Sequence, residues 1–155
     1  MNSFIKASKI EEEGKKRWWK QMGHPLEWRE CVNKDENTMC GDCFHIPSGE
    51  YHEWKFEKFE KYGNFFFETF SNKSRNTVGW MFKSMEAKYL WYGFLNIGKV
   101  YLFDFIKLKE WFKENHLSYK EKEQNKYDQY NDTWGRPVSI KIMKELGFII
   151  EEFDF

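Results

Sequence analysis

The chain has 155 residues, enough for one domain with a real hydrophobic core. Its 25 Lys and Arg balance 25 Asp and Glu, so the formal net charge is zero. That balance excludes a global basic field of the kind that drives non-specific nucleic-acid binding, while leaving room for a local basic face. Aromatic residues make up 21% of the chain, so rings fill much of the core. Three cysteines, Cys31, Cys40 and Cys43, are an odd set that argues against a disulfide framework and for a reducing cytoplasm. No apolar run approaches the roughly 20 residues that cross a bilayer, and the N-terminal stretch lacks the apolar centre of a secretory signal. The expectation is a soluble, intracellular protein.

Residues 5–21 read as a helix, with Ser3 or Ser8 as N-cap and Gly23 just past its end. Residues 24–42 have the Pro, Asn, Asp and Gly of a loop, with a short strand near 28–32. "PSGE" is a turn that makes 43–46 and 50–57 the two arms of a hairpin. In the second arm the period is two. Tyr51, Glu53, Lys55 and Glu57 share one face, and His52, Trp54 and Phe56 share the other. "KYGN" is a further turn, and "FFFETF" a buried strand with Phe66, Glu68 and Phe70 on one side. Residues 71–79 read as a polar loop and 80–87 as a short helix. Residues 88–105 form a second hairpin around "NIG", and 106–116 a helix with Leu108, Trp111 and Phe112 inward. Residues 118–135 read as irregular, 136–147 as a short helix stopped by Gly147, and 148–155 as a small strand. The order predicts an α+β or α/β domain with a mixed central sheet flanked by helices.

Asp42 opens the first hairpin arm, and Glu53 and Lys55 point the same way from the second. Paired around "PSGE", the three converge near one edge of the sheet. Two carboxylates so placed make a hard-oxygen site for Mg²⁺ or Mn²⁺. An ammonium beside them can hold a water or steady a phosphoryl oxygen, which is the set that metal-assisted phosphodiester hydrolysis needs. The alternative is a solvated strand with alternating charges. Glu68 weighs against that alternative, because an unpaired carboxylate inside "FFFETF" is costly to bury. The Gly63-Asn64 turn is expected to bring its strand directly beside the Glu-x-Lys strand.

The string "GD…GEYHEWKFEKFEKYGNFFFE" resembles the core of the PD-(D/E)XK nuclease superfamily, in particular its small phage-type members. The similarity extends through "GWMFKSMEAKYLWYGF…KVYLFDFIKLKEWF", covers about residues 8–115, and has a weaker echo at "TWGRPV" within the extension 116–155. The resemblance implies a restriction-endonuclease-like core. It implies that Asp42, Glu53 and the main-chain carbonyl of Trp54 bind Mg²⁺ or Mn²⁺, and that Lys55 positions or activates the attacking water. Glu57 and Glu68 would complete the acidic cluster, and the "EEE" run offers Glu11, Glu12 and Glu13, with Glu12 preferred, as the helix-borne acid of many relatives. The chain departs from the pattern in having Gly41, not Pro, before Asp42, and Glu57 where a shorter Asp is common.

Lys73 and Arg75 lie in a small polar loop that ends at Trp80, a set able to hold phosphates and meet a base beside an acidic site. Lys15, Lys16, Arg17 and Lys20 lie on the first helix and could follow a DNA backbone. Each of these is equally consistent with a solvated surface. Cys40 and Cys43 have Cys-x-x-Cys spacing, with Cys31, His24 or His45 as further zinc ligands. The leading expectation is a metal-dependent DNA endonuclease, phage-encoded or phage-derived, acting in a host cytoplasm and plausible as a homodimer. Against it stand a catalytically silent nuclease fold that binds nucleic acid or protein, for example to inhibit a host defence, and a structural-zinc protein.

Overall fold

Alternating apolar and charged side chains govern the centre of the molecule, whose computed structural model describes residues 3–60, 62–124 and 132–155, with side chains from residue 8 onward. Helix α1 is Ser3–Met22, followed by strand β1 (Trp28–Glu30), helix α2 (Lys34–Met39), β2 (Cys43–His45) and β3 (Glu50–Glu57). Then come β4 (Asn64–Asn72), β5 (Thr77–Val78), β6 (Tyr89–Phe94), β7 (Lys99–Asp104) and α3 (Phe105–Asn115). A 3₁₀ turn at His116–Ser118 leads to β8 (Lys122–Glu123), β9 (Trp134–Ser139), α4 (Ile140–Glu145) and β10 (Ile149–Asp154). Among the described residues the strands form a six-stranded sheet in the order β1-β2-β3-β6-β7-β10 and a four-stranded sheet in the order β5-β4-β9-β8.

The larger sheet is mixed, because β3 pairs with β6 in parallel while its other neighbours are antiparallel. Strand β6 reads "YLWYGF", and all of it except Tyr89 is buried. A strand covered on both faces carries such a continuous apolar run, and this one takes the centre. On one face α1 lies across β3. There Trp18, fully buried, packs its ring against Trp28, Trp54 and Trp91 at 4.9–5.5 Å between centroids. On the other face, the second sheet and α3 enclose Phe65, Phe67, Tyr92, Phe103, Leu108 and Phe112. The molecule is therefore α+β, a mixed central sheet flanked by helices.

The hairpin β2–β3 turns at Gly49, which has a φ of +70°, where a residue with a Cβ would be strained. The expected hairpin over 88–105 is β6–β7. The helix expected at 106–116 is α3, capped by the Asp104 side chain, with Leu108 and Phe112 buried and Trp111 packed beside them. Ser8 lies inside α1 and is not its cap, and the Ser3 side chain lies outside the described residues.

Several expectations are corrected. Strand β4 does not lie beside β3; it belongs to the second sheet and pairs with β5 and β9. Phe65 and Phe67 drive this, since they pack edge-to-face across the core against Tyr92, Tyr101 and Phe103, which a place beside β3 in the same sheet would not allow. Residues 80–87 form turns and extended chain, not a helix, because Trp80 and Met81 pack inward over the second sheet instead of along one helical face. The loop 71–79 contains β5, and 136–139 is strand, so the last helix is shorter than its sequence suggests. Strand β8 begins within 118–135, whose residues 125–131 lie outside the described residues. Helix α2 was hidden in an apparent loop, although Asn33 caps it by accepting from the N–H groups of Asp35 and Glu36.

Gly14 sits where α1 crosses β3, and a Cβ there would fall 2.1 Å from Phe56 Cγ. Gly14→Ala sets a helix-propensity gain of about 1 kcal/mol against an overpacking cost of about 1–3 kcal/mol or more. The expected outcome is a lower urea midpoint than wild type, with part of the loss recovered in Gly14→Ala/Phe56→Leu. A midpoint equal to or above wild type would contradict the close crossing.

Candidate active site

Strand β2 pairs with β3 only as far as His52. Beyond that point one edge of β3 is bare, and its inward N–H groups are taken by carboxylates. Trp54 N–H donates to Asp42 Oδ2 at 2.8 Å, and Phe56 N–H donates to Glu11 Oε1 at 3.4 Å. A strand residue's N–H and C=O point to the same edge, so the Trp54 carbonyl opens beside Asp42. Asp42 itself is set by the backbone. Its N–H donates to His52 O at 2.9 Å, and Cys31 N–H donates to its carbonyl at 2.9 Å. Gly41 makes this approach possible, since a Cβ there would lie 2.8 Å from the His52 carbonyl oxygen. That contact gives a physical reason for glycine before the aspartate. Asn37 of α2 completes the mount by donating to Asp42 Oδ1 at 2.9 Å. Helix α2 is tied down by Glu36, whose carboxylate receives both Arg29 nitrogens at 2.7 and 3.0 Å and the Tyr51 hydroxyl at 2.8 Å. Those bonds, the Arg29 ones first, pull the Glu36 pKa down to about 2.

A cavity of about 490 Å³ opens at this edge, lined by Asp42, Glu53, Lys55, Glu11, Glu68 and Lys83 among others. Burial pushes the Glu53 carboxyl well above the usual range, and a hydrogen bond to Asp42 together with that neighbour's charge adds to the shift. The Glu53 carboxyl therefore resists ionising beside Asp42. Burial likewise raises Glu68, against the opposing effects of Lys55 and the Trp80 N–H, which donates to Glu68 Oε1 at 3.3 Å. For Lys55, burial works against the charge, but Glu11, Glu57, Glu68 and Glu53 outweigh it and the pKa rises. Lys55 is a committed ammonium, with Glu11 Oε1 4.0 Å from its Nζ. Glu57 also accepts from the buried Tyr92 hydroxyl at 2.6 Å. Glu68 therefore reaches the site across the layer from the second sheet, not from a strand adjoining β3.

Other expected residues fall elsewhere. Glu12 points to solvent and pairs with Lys15 at 3.7 Å, while Glu11 enters the cavity. Helical phase decides this, because Glu11, Gly14 and Trp18 share the face that meets the sheet. Lys16 and Lys20 are exposed. Arg17 is held by Glu13 and the Leu95 carbonyl. Lys15 lines the cavity instead. Lys73 binds Glu121 at 2.5 Å and borders a separate cavity of about 460 Å³ with Arg136, Thr69 and His116. Arg75 is exposed in the turn before β5. Trp80 lines the acidic cavity, but its ring packs on Phe67, Tyr92 and Phe105, so it acts as a wall more than as a stacking platform. Sequence reasoning offered Glu11 but chose Glu12 over it, and it missed Asn37 and Lys83. The Asn33 cap of α2 was a legible sign of Asn37's helix; nothing local marked Lys83.

Among the described residues no three His, Cys, Asp or Glu side chains form a group that could hold a metal ion. Burial raises the Cys31 thiol to about 12 and lifts Cys43 well above the usual thiol range, whereas zinc takes thiolates, and His45 is engaged with Ser48 at 2.7 Å. For a hard cation the donors present do fit. Mg²⁺ takes one or two carboxylates and keeps several waters. Asp42 and Glu53, which line one cavity, supply the pair, with the Trp54 carbonyl on the same edge. Each carboxylate oxygen has a second lone pair to give.

No protein-family model, no curated protein and no solved structure matches the chain. The site stands on its own geometry.

Burial first, opposed by Lys55 and the Phe56 N–H, raises the Glu11 carboxyl from 4.5 to about 7. Between those values the folded chain binds more protons than the unfolded one, so this group's contribution to stability falls as pH rises through that window and then levels. Glu11→Gln removes the titration and keeps an acceptor for Phe56. In EDTA, the melting temperature of the variant relative to wild type is expected to rise from about pH 4.5 to about pH 7 and then stay constant. A flat difference across the range would contradict the burial of this carboxyl.

Proposed function

We propose that this protein is a metal-dependent DNA endonuclease of the PD-(D/E)XK kind, with a restriction-endonuclease-like core and a phage or phage-derived origin. One observation carries the reading: Asp42, Glu53 and Lys55 meet in one cavity at the bare edge of β3, with Glu11 and Glu68 around them. A solvated strand of alternating charges would not bury them together.

When bound by Asp42, Glu53 and the Trp54 carbonyl, Mg²⁺ or Mn²⁺ supplies Lewis-acid stabilisation of the phosphoryl oxygens and a more acidic water. Burial disfavours the charged form of Glu53, and a bound cation would favour it, so uptake is expected to strengthen as pH rises. Lys55, kept charged by its carboxylate neighbours, orients the attacking water as a hydrogen-bond donor and is not its base. Glu11, with a carboxyl near 7 and 4.0 Å from Lys55 Nζ, is matched to accept the water's proton at neutral pH. The water oxygen bonds to phosphorus, and the bond from phosphorus to a sugar oxygen breaks.

A second reading, a silent nuclease fold that binds DNA or protein, is favoured by a separate observation. Both Asp42 oxygens already accept hydrogen bonds, from Asn37 and from Trp54 N–H. The two readings separate on supercoiled, single-stranded and branched DNA with Mg²⁺, Mn²⁺ or EDTA. Cutting is expected with either metal and not in EDTA. Glu53→Gln and Lys55→Ala are each expected to slow it by about 10²–10³-fold or more, with unchanged far-UV circular dichroism. Wild type that binds DNA but cuts none of these substrates with either metal would establish the binding module instead.

A further inference from the structure

The acidic cavity holds another lysine with no part in the scheme above. Lys83 follows the Gly79 turn, its N–H donating to Gly79 O at 3.0 Å. Its carbonyl accepts from Lys109 Nζ of α3, and that ammonium lies 4.9 Å from the Phe105 ring centroid. The segment is therefore pinned from behind. The Lys83 side chain lines the cavity with Asp42, Glu53 and Lys55, and it is the first cation acting on Glu53. Among the described residues its ammonium has no hydrogen bond or ion pair. The contrast with its neighbours is sharp. Lys55 is surrounded by four carboxylates, and Lys15 is held by Glu12 and Glu30 at 3.7 Å each. Lys83 reaches Glu53 from the chain ahead of β6, Lys55 from two residues along β3.

In an in-line displacement the attacking and leaving oxygens lie on opposite sides of phosphorus, and both carry charge that a site must stabilise. A lysine already encircled by carboxylates suits the water. One whose ammonium makes no hydrogen bond or ion pair among the described residues is free to meet an anion as it develops. We propose that Lys83 is a second catalytic lysine, which donates to the oxygen that leaves phosphorus. This rests on the hydrolytic reading. The water oxygen forms its bond to phosphorus, and both electrons of the phosphorus–oxygen bond to the departing sugar go to that oxygen. The leaving oxygen takes one proton from Lys83 Nζ, which bulk water restores, and the proton lost by the attacking water passes to solvent through Glu11. The competing role is structural, with Lys83 merely balancing the Asp42–Glu53 pair.

Wild type, Lys83→Ala and Lys83→Arg are compared in single-turnover cleavage with Mg²⁺ on an oligonucleotide cut at a mapped linkage. A second oligonucleotide carries a bridging sulfur at that linkage, a leaving group that needs no proton. Lys83→Ala is expected to slow the ordinary substrate about 10²–10³-fold and the sulfur substrate less than about 3-fold, with Lys83→Arg recovering at least about 10-fold. DNA affinity in EDTA is expected to stay within about 2-fold, since the contact forms as the bond breaks. Equal slowing on both substrates, or a loss seen only in affinity, would overturn the leaving-group role. So would Lys83→Ala cutting as fast as wild type while wild type still cuts. If wild type cuts nothing, the hydrolytic reading falls and takes Lys83's role with it.

Discussion

The bare edge of β3 is the constraint on which the rest depends. A strand whose partner ends early leaves inward N–H groups that must be satisfied, and here carboxylates accept from them. Asp42 and Glu11 arrive from opposite directions, one from the loop after α2 and one from the helix that crosses the sheet. Their positions follow from backbone hydrogen bonding, so the carboxylates are held whether or not any ligand is present. The third acid, Glu53, then has no freedom to avoid Asp42, because β3's pleat directs it to the same cavity.

Crowding carboxylates in a half-closed cavity is unfavourable unless something offsets it. The molecule offsets it with carboxyls that resist ionising and with Lys55. Burial raises Glu11, Glu53 and Glu68, and the same acids keep Lys55 charged against its own desolvation. The arrangement is poised rather than neutralised. This connects the fold to chemistry, since the strand that supplies Glu53 also supplies the Lys55 ammonium.

Much of the centre could be read from the sequence because it is written in short-range pattern. Period two in residues 50–57 separates Trp54 and Phe56 from Glu53 and Lys55, and the "PSGE" turn sets the register that brings Asp42 alongside. What escaped depends on long-range choice. "FFFETF" reads equally well as a neighbour of β3 or as a strand of a second layer. Only the packing of Phe65 and Phe67 against β6 and β7 decides it. Of the three consecutive glutamates in α1, composition cannot say which faces the sheet; Gly14 and Trp18 set the phase. Lys83 was invisible for the same reason, because a lysine in an irregular segment gains meaning only from what the fold puts opposite it.

The tryptophan cluster beneath the site has an optical consequence. Trp18 touches Trp19, Trp28, Trp54 and Trp91 with centroids 4.9–6.1 Å apart, close enough for their indole transitions to couple as an exciton and to share excitation energy. Trp54 belongs to this group, and its own backbone N–H is the one bound to Asp42. The ultraviolet dichroism and emission of the native chain therefore carry a built-in optical gauge of the β3 edge.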